Sequence, residues 1–220
     1  MRPISSRQQW FPGFRMRSAV IPIIGVNILF FILQQTIPGF TDAFILVGSD
    51  IFTRPWILLT HMFLHANLNH IFFNMYGILL FGPLLESRIG PKRLLEVYLV
   101  SGLVAGFFAS FAYARALGAS AALMGLIGAL IIIMPQLRLL FFFIIPMPLW
   151  LAGLVWVSID VFGVFFPSGV GNIAHLFGMG TGILFGLYFL RQRKGQQETF
   201  AQTTHLDDAA VDDYLRSGRF

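Results

Sequence analysis

Six long runs of apolar residues, almost free of charge, constrain this chain more than any other feature. Residues 19–37 (AVIPIIGVNILFFILQQTI) carry no charge and reach the length of a membrane-spanning helix, about 20 residues. Further runs occupy 68–85, 94–113, 120–134, 149–166 and 170–190. A soluble domain needs roughly a quarter of its residues charged to cover its surface. Here only 11% are charged against 56% hydrophobic, and the mean hydropathy is +0.75. Most of the chain must therefore face lipid. The sequence has no Cys, which excludes a disulfide scaffold, a thiolate metal site and a cysteine nucleophile. The net charge of +5 does not form a nucleic-acid-binding patch, because the Lys and Arg residues fall between the apolar runs. Nor does the first run read as a cleavable signal, being too long and lacking a small-residue site at its end.

The expected fold is all-α: a polytopic membrane protein of six transmembrane helices with a long external first loop. The order is a basic segment at 1–18, a membrane domain at 19–190 and a polar, acidic tail at 191–220. Residues 38–67 are too polar to span. Phe-rich residues 139–145 read as a lipid-facing connection between the fourth and fifth helices. The tail, with Asp207, Asp208, Asp212 and Asp213, is expected to be disordered or to carry one short surface helix.

Basic residues set the orientation. Arg2, Arg7, Arg15 and Arg17 precede the first run; Arg88, Lys92 and Arg93 separate the second and third. Arg138 follows the fourth, and Arg191, Arg193 and Lys194 follow the sixth. The opposite side receives Arg54 and Arg115. The positive-inside rule then puts both termini in the cytoplasm of a cell-membrane protein, as an even helix count requires.

Polar residues within the runs are costly in a bilayer and mark function. His70 and Asn74 lie in the first turns of the second helix, Ser120 opens the fourth, and His175 lies in the first turns of the sixth. All three helices start outside. At 1.5 Å per residue the four side chains fall within roughly 10 Å of the outer ends, so residues distant in sequence share one depth. The fourth run is short, about 22 Å against a hydrocarbon core of about 30 Å. Ser120 should therefore sit at the floor of a wet pocket, since irregular backbone at depth must line a cavity or be buried in protein. A serine at a helix start is ordinarily an N-cap; the same position offers free N–H groups suited to a developing oxyanion.

Gly178, Gly182 and Gly186 share the His175 face of the sixth helix and allow close packing against the fourth, which carries Gly125 and Gly128. His70 and Asn74, spaced i, i+4, share one face. His61 and His65, with His70 three histidines within ten residues, raise a zinc reading, opposed by the absence of Cys and of any carboxylate within the cluster, Asp50 lying somewhat upstream. No metal or other cofactor is expected, and both histidines read as loop-holding residues. Asp160, the carboxylate deep in a span, reads as hydrogen-bonding a neighbouring helix rather than completing a triad.

Three segments, HMFLHANLNHIFFNM (61–75), GASAALMGLIGA (118–129) and AHLFGMGTGILFG (174–186), in this order and spacing, resemble the rhomboid intramembrane serine proteases over about residues 19–190. The resemblance implies a Ser–His dyad, with Ser120 the nucleophile and His175 the general base and later acid. It makes His70 and Asn74 oxyanion-stabilising side chains assisted by the Ser120 N–H, and groups Gly118, His65, Gly178 and Gly182 around the site as structural residues. It implies transmembrane protein substrates, cut near the outer face of the bilayer, and a first loop partly embedded at the membrane surface; it does not fix an oligomeric state. Two positions depart from the family pattern: Ala121 replaces the usual glycine after the nucleophile, and Met124 stands where an aromatic often packs on the histidine. The rival classes are a catalytically inactive relative that binds membrane helices and a small channel or transporter.

Overall fold

The computed structural model describes residues 18–141, 145–166 and 169–204. The basic residues before Ser18, Phe142–Ile144 of the connection and the acidic end of the tail lie outside them. Among the described residues the chain is mostly helical. Six longer helices, α1 (Val20–Thr36), α4 (Leu68–Ile89), α5 (Pro91–Ala112), α6 (Ser120–Ile133), α7 (Leu149–Phe165) and α8 (Asn172–Thr204), form the bundle. Two short ones, α2 (Phe40–Phe44) and α3 (Ile57–Thr60), lie in the first loop. α4, α5 and the Asn172–Gly195 part of α8 are long and apolar enough to cross a membrane; α1, α6 and α7 are shorter and equally apolar. The chain is a membrane protein.

α6 occupies the centre, packed by α4, α5, α7 and α8. Leu126, Ile127 and Leu130 of α6, Ile78 and Leu85 of α4 and Tyr98 of α5 are buried in one continuous core. α1 is fixed from outside its own sequence: the Glu86 carboxylate at the end of α4 accepts hydrogen bonds from the Ala19 and Val20 N–H groups at 2.9 and 3.3 Å and from Ser18 Oγ at 3.2 Å. A carboxylate at a helix N-terminus satisfies orphan donors and complements the helix dipole.

The first loop is folded against the bundle. Leu46 and Val47 (β1) pair antiparallel with Arg115 and Ala116 (β2), and Leu46, Ile51 and Ile57 bury a small cluster against Ala109 of α5. The basic residues on this side are neutralised locally, Arg115 by Asp42 and Arg54 by Asp50 at 2.5 Å.

One expectation is corrected and another gains detail. The connection after α6 carries two antiparallel strands, β3 (Arg138–Phe141) and β4 (Ile145–Pro148). Pro135, Pro146 and Pro148 deny this stretch a helix, so its backbone polar groups pair across strands instead. The tail does not begin after the apolar run: α8 continues without a break to Thr204. RQRKGQQET holds mostly good helix formers and no proline. The first polar turn is also held, since Arg93 of α5 donates to Gln192 Oε1 at 3.0 Å and lies over the Phe189 ring.

Candidate active site

Ser120 is the first residue of α6. The preceding Ala119 is the cap residue, and no side chain caps this helix, so the Ser120 hydroxyl is free of the ordinary N-cap role. The first hydrogen bond made by an α6 N–H runs from Leu123 to the Ala119 carbonyl at 2.9 Å, so the earlier N–H groups lie at the unpaired start of the helix. The segment before the serine is tied down on both sides. β2 pairs with the first loop, and the Gly118 N–H donates to the His61 carbonyl at 2.9 Å. Gly118 has φ +125°, and a Cβ there would stand 2.7–2.8 Å from Cε1 and Nε2 of His70. The positive φ requires glycine, and any side chain there would also displace the His70 ring.

His175 sits one turn into α8, whose start is set by α5: the Tyr113 hydroxyl accepts a hydrogen bond from the Ile173 N–H at 3.0 Å. The glycine stripe then joins α8 to α6 backbone to backbone. A Cβ at Gly178 would run into the Ala121 carbonyl, one at Gly182 into the Gly125 carbonyl, and one at Gly128 into the Met179 carbonyl. This contact brings His175 Nε2 to 2.8 Å from Ser120 Oγ. The other ring nitrogen, Nδ1, lies 3.0 Å from Asp160 Oδ1 of α7, and both side chains are largely buried.

Asp160 hydrogen-bonds a neighbouring helix, as expected of a carboxylate in an apolar span, and its partner there is His175. Asp160 lies five residues from the end of α7, about 8 Å, and so falls within roughly 10 Å of the same end of the bundle as the other polar groups.

His70 and Asn74 lie on α4, whose N-cap is Asn67, accepting from the His70 N–H at 2.9 Å. The Ala66 N–H donates to His70 Nδ1 at 3.3 Å, so in the neutral ring Nε2 carries the hydrogen, and that nitrogen lies over Gly118. Asn74 is buried, and its amide donates to the His70 carbonyl at 2.9 Å, engaging one of its two N–H groups.

The other histidines belong to the loop. His61 is buried against Gly106 of α5, with Nδ1 3.0 Å from the Ile57 carbonyl; burial pushes its pKa down to about 4. His65 is buried too, its backbone N–H donating to Gln34 Oε1 at 2.9 Å. Burial, and then the neighbouring His70, lower its pKa to about 4.

Ser120, His175, His70 and Asn74 open onto one cavity of about 990 Å3. It extends between α4 and α7 past Tyr76, Leu80, Met124 and Trp156 to Leu139 and Arg138 of the hairpin. A half-buried hydroxyl against an imidazole, with N–H donors nearby and a long apolar groove alongside, is equipped for nucleophilic attack on a carbonyl held in that groove.

Comparison with known proteins gives the family. Residues 53–192 match the family model for the Rhomboid domain. The chain is 31% identical over 173 residues to "RHOMBOID-like protein 6, mitochondrial" of Arabidopsis thaliana, covering 73% of this chain and 52% of that protein. It is 28% identical to "Rhomboid protein 1, mitochondrial" of Saccharomyces cerevisiae, covering 83% and 56%. It is 26% identical to "Rhomboid protease GlpG" of Haemophilus influenzae, covering 66% and 76%. The chain thus spans about half the length of the first two. Relatives carry protease names, and one is named inactive.

Proposed function

The chain belongs to the rhomboid family, and on that premise we propose that it is an intramembrane serine endopeptidase that cuts transmembrane proteins near the outer face of a bilayer. The observation that carries this reading is the 2.8 Å approach of His175 Nε2 to a Ser120 hydroxyl that does not cap its helix. Ser120 Oγ attacks the scissile carbonyl carbon while its proton passes to His175 Nε2. The resulting oxyanion accepts hydrogen bonds from backbone N–H groups at the start of α6, from His70 Nε2–H and from the second N–H of Asn74. His175 then returns the proton to the leaving amine, and an acyl-serine remains. Water, deprotonated by His175, attacks that ester; the new carboxylic end departs and Ser120 regains its proton.

All six longer helices cross the membrane in this reading, with both termini in the cytoplasm. The 14 residues of α6 span about 21 Å of a core about 30 Å thick. This supports a serine lying below the surface, reached by water from one side and by a polypeptide through the groove between α4 and α7. A cell-membrane location rests on the basic residues alone; two of the relatives named above are mitochondrial.

A serine-directed fluorophosphonate probe tests the reading. Labelling confined to Ser120, and lost in His175→Ala, is expected. A folded protein that the probe leaves unlabelled would mark an inactive helix-binding relative. Reporter fusions at residue 195 and near Asp50 test the topology, with cytoplasmic and external readouts expected respectively.

A further inference from the structure

We infer that Asp160 is a positioning residue for the proposed reaction, converting the Ser120–His175 pair into a three-member chain on a family scaffold for which a dyad is expected. This inference rests on the protease reading of the same site. Asp160 Oδ1 lies 3.0 Å from His175 Nδ1, on the side of the ring opposite to Ser120, which faces Nε2 at 2.8 Å. The three groups are therefore in line through one imidazole. Among the described residues the charged or chargeable partner of Asp160 is His175, and the aspartate is only 5% exposed in an otherwise apolar helix. A carboxylate buried in such surroundings is costly unless it is paired. Its pairing with the base, and not with a Lys or Arg, gives it a function beyond packing.

The junction that sets this distance is built locally. Asn172, three residues before His175, is buried, and its amide lies where a Cβ at Gly163, three residues after Asp160, would have to go. The last turn of α7 is thus held directly against the first turn of α8. At that distance the carboxylate accepts the Nδ1–H of His175. The ring is then fixed in the tautomer whose Nε2 lone pair faces the serine hydroxyl, and the imidazolium formed during attack meets a negative charge.

The test uses the full chain in detergent and follows two readouts: the rate of Ser120 labelling by the fluorophosphonate, and cleavage of a single-pass transmembrane reporter that the parent cuts. Asp160→Asn, nearly isosteric, is expected to lower the labelling rate and kcat by about 100-fold or more, as losses of the orienting aspartate do in serine proteases. KM should stay within about twofold, because Asp160 does not line the groove, and thermal stability should be nearly unchanged. Asp160→Glu should recover activity to within about tenfold of the parent. The inference is overturned if Asp160→Asn labels and cleaves within about threefold of the parent while Ser120→Ala and His175→Ala are dead. It is equally overturned if Asp160→Glu and Asp160→Asn lose activity alike together with thermal stability, since that pattern belongs to packing. Activity surviving in Ser120→Ala would instead remove the protease reading, and this inference with it.

Discussion

The two sides of the site are built in opposite ways. On one side α6 and α8 meet through glycines, with carbonyl groups of one helix against the Cα atoms of the other. Nothing longer than a hydrogen atom separates the backbones, so the backbone positions of Ser120 and His175 do not depend on intervening side chains. On the other side α4 and α7 face each other across an open groove, contributing side chains such as Tyr76, Leu80 and Trp156. α7 buries only Leu149, Ala152, Gly153 and Asp160, a low density of fixed contacts, and such elements open at least cost. Rigid backbone packing holds the reacting atoms, while adaptable side chains line the space a substrate would occupy. Without water in the bilayer to drive helix association, close backbone approach is the stronger way to fix a distance.

Substitutions can break this contrast at different strengths. Ser120→Ala and His175→Ala should each reduce cleavage by about 10⁶-fold, to the detection limit, with thermal unfolding in detergent unchanged. His70→Ala and Asn74→Ala remove oxyanion donors rather than reacting groups, so about a 100- to 1000-fold fall in kcat at nearly constant KM is expected from steady-state kinetics. Parental rates in Asn74→Ala would make it a packing amide only. Gly182→Val attacks the rigid side itself: its Cβ meets the Gly125 carbonyl, so α8 must shift. We expect melting to fall by about 2–12 °C and cleavage by about 100-fold, through displacement of His175. On the open side, Leu80→Ala should leave melting and Ser120 labelling unchanged while KM for a transmembrane reporter rises about two- to tenfold. An unchanged KM would remove the groove from the substrate path.

The smallest effect is one of pH. His61 and His65, in the loop, are held neutral by burial, with pKa values pushed from the ordinary 6.5 down to about 4. Between those values the unfolded chain takes up protons that the folded chain refuses, so stability falls as pH drops through this window. Melting curves recorded from pH 7 to pH 4 should show the decline, and His61→Gln should flatten it.

The helical frame was legible because apolar runs of spanning length admit few other structures. α4 runs on past the charged residues to Ile89 and α5 begins ahead of others, at Pro91, whereas the end of α6 was legible because Pro135 punctuates it. The extension of α8 was not, because polar helix formers after Leu190 look the same in a tail and in a helix; only the tether from Arg93 to Gln192 distinguishes them. The paired strands were equally hidden. Leu46–Val47 and Arg115–Ala116 are two residues long, too short for alternation to register. Within the site, Ser120, His175, His70 and Asn74 were found by depth and spacing, and the structure brings them to one cavity. That Asp160 bonds a neighbouring helix was legible from the cost of a carboxylate in an apolar span; that its partner is His175 was not, because no local spacing relates residues 15 apart on two helices.

The distance along the chain between the two reacting groups has a further meaning during biosynthesis. His175 follows Ser120 by 55 residues, with α7 and the hairpin between them. A chain emerging from the ribosome therefore carries its serine, the first loop and α4 through the insertion of nearly two more helices before His175, the base proposed for that serine, is in place. On the proposed reading the half-made protein is chemically inert. Hydrolytic capacity appears only when α8, the last helix of the bundle to be synthesised, slides its glycines against α6, so the step that completes assembly also arms the enzyme.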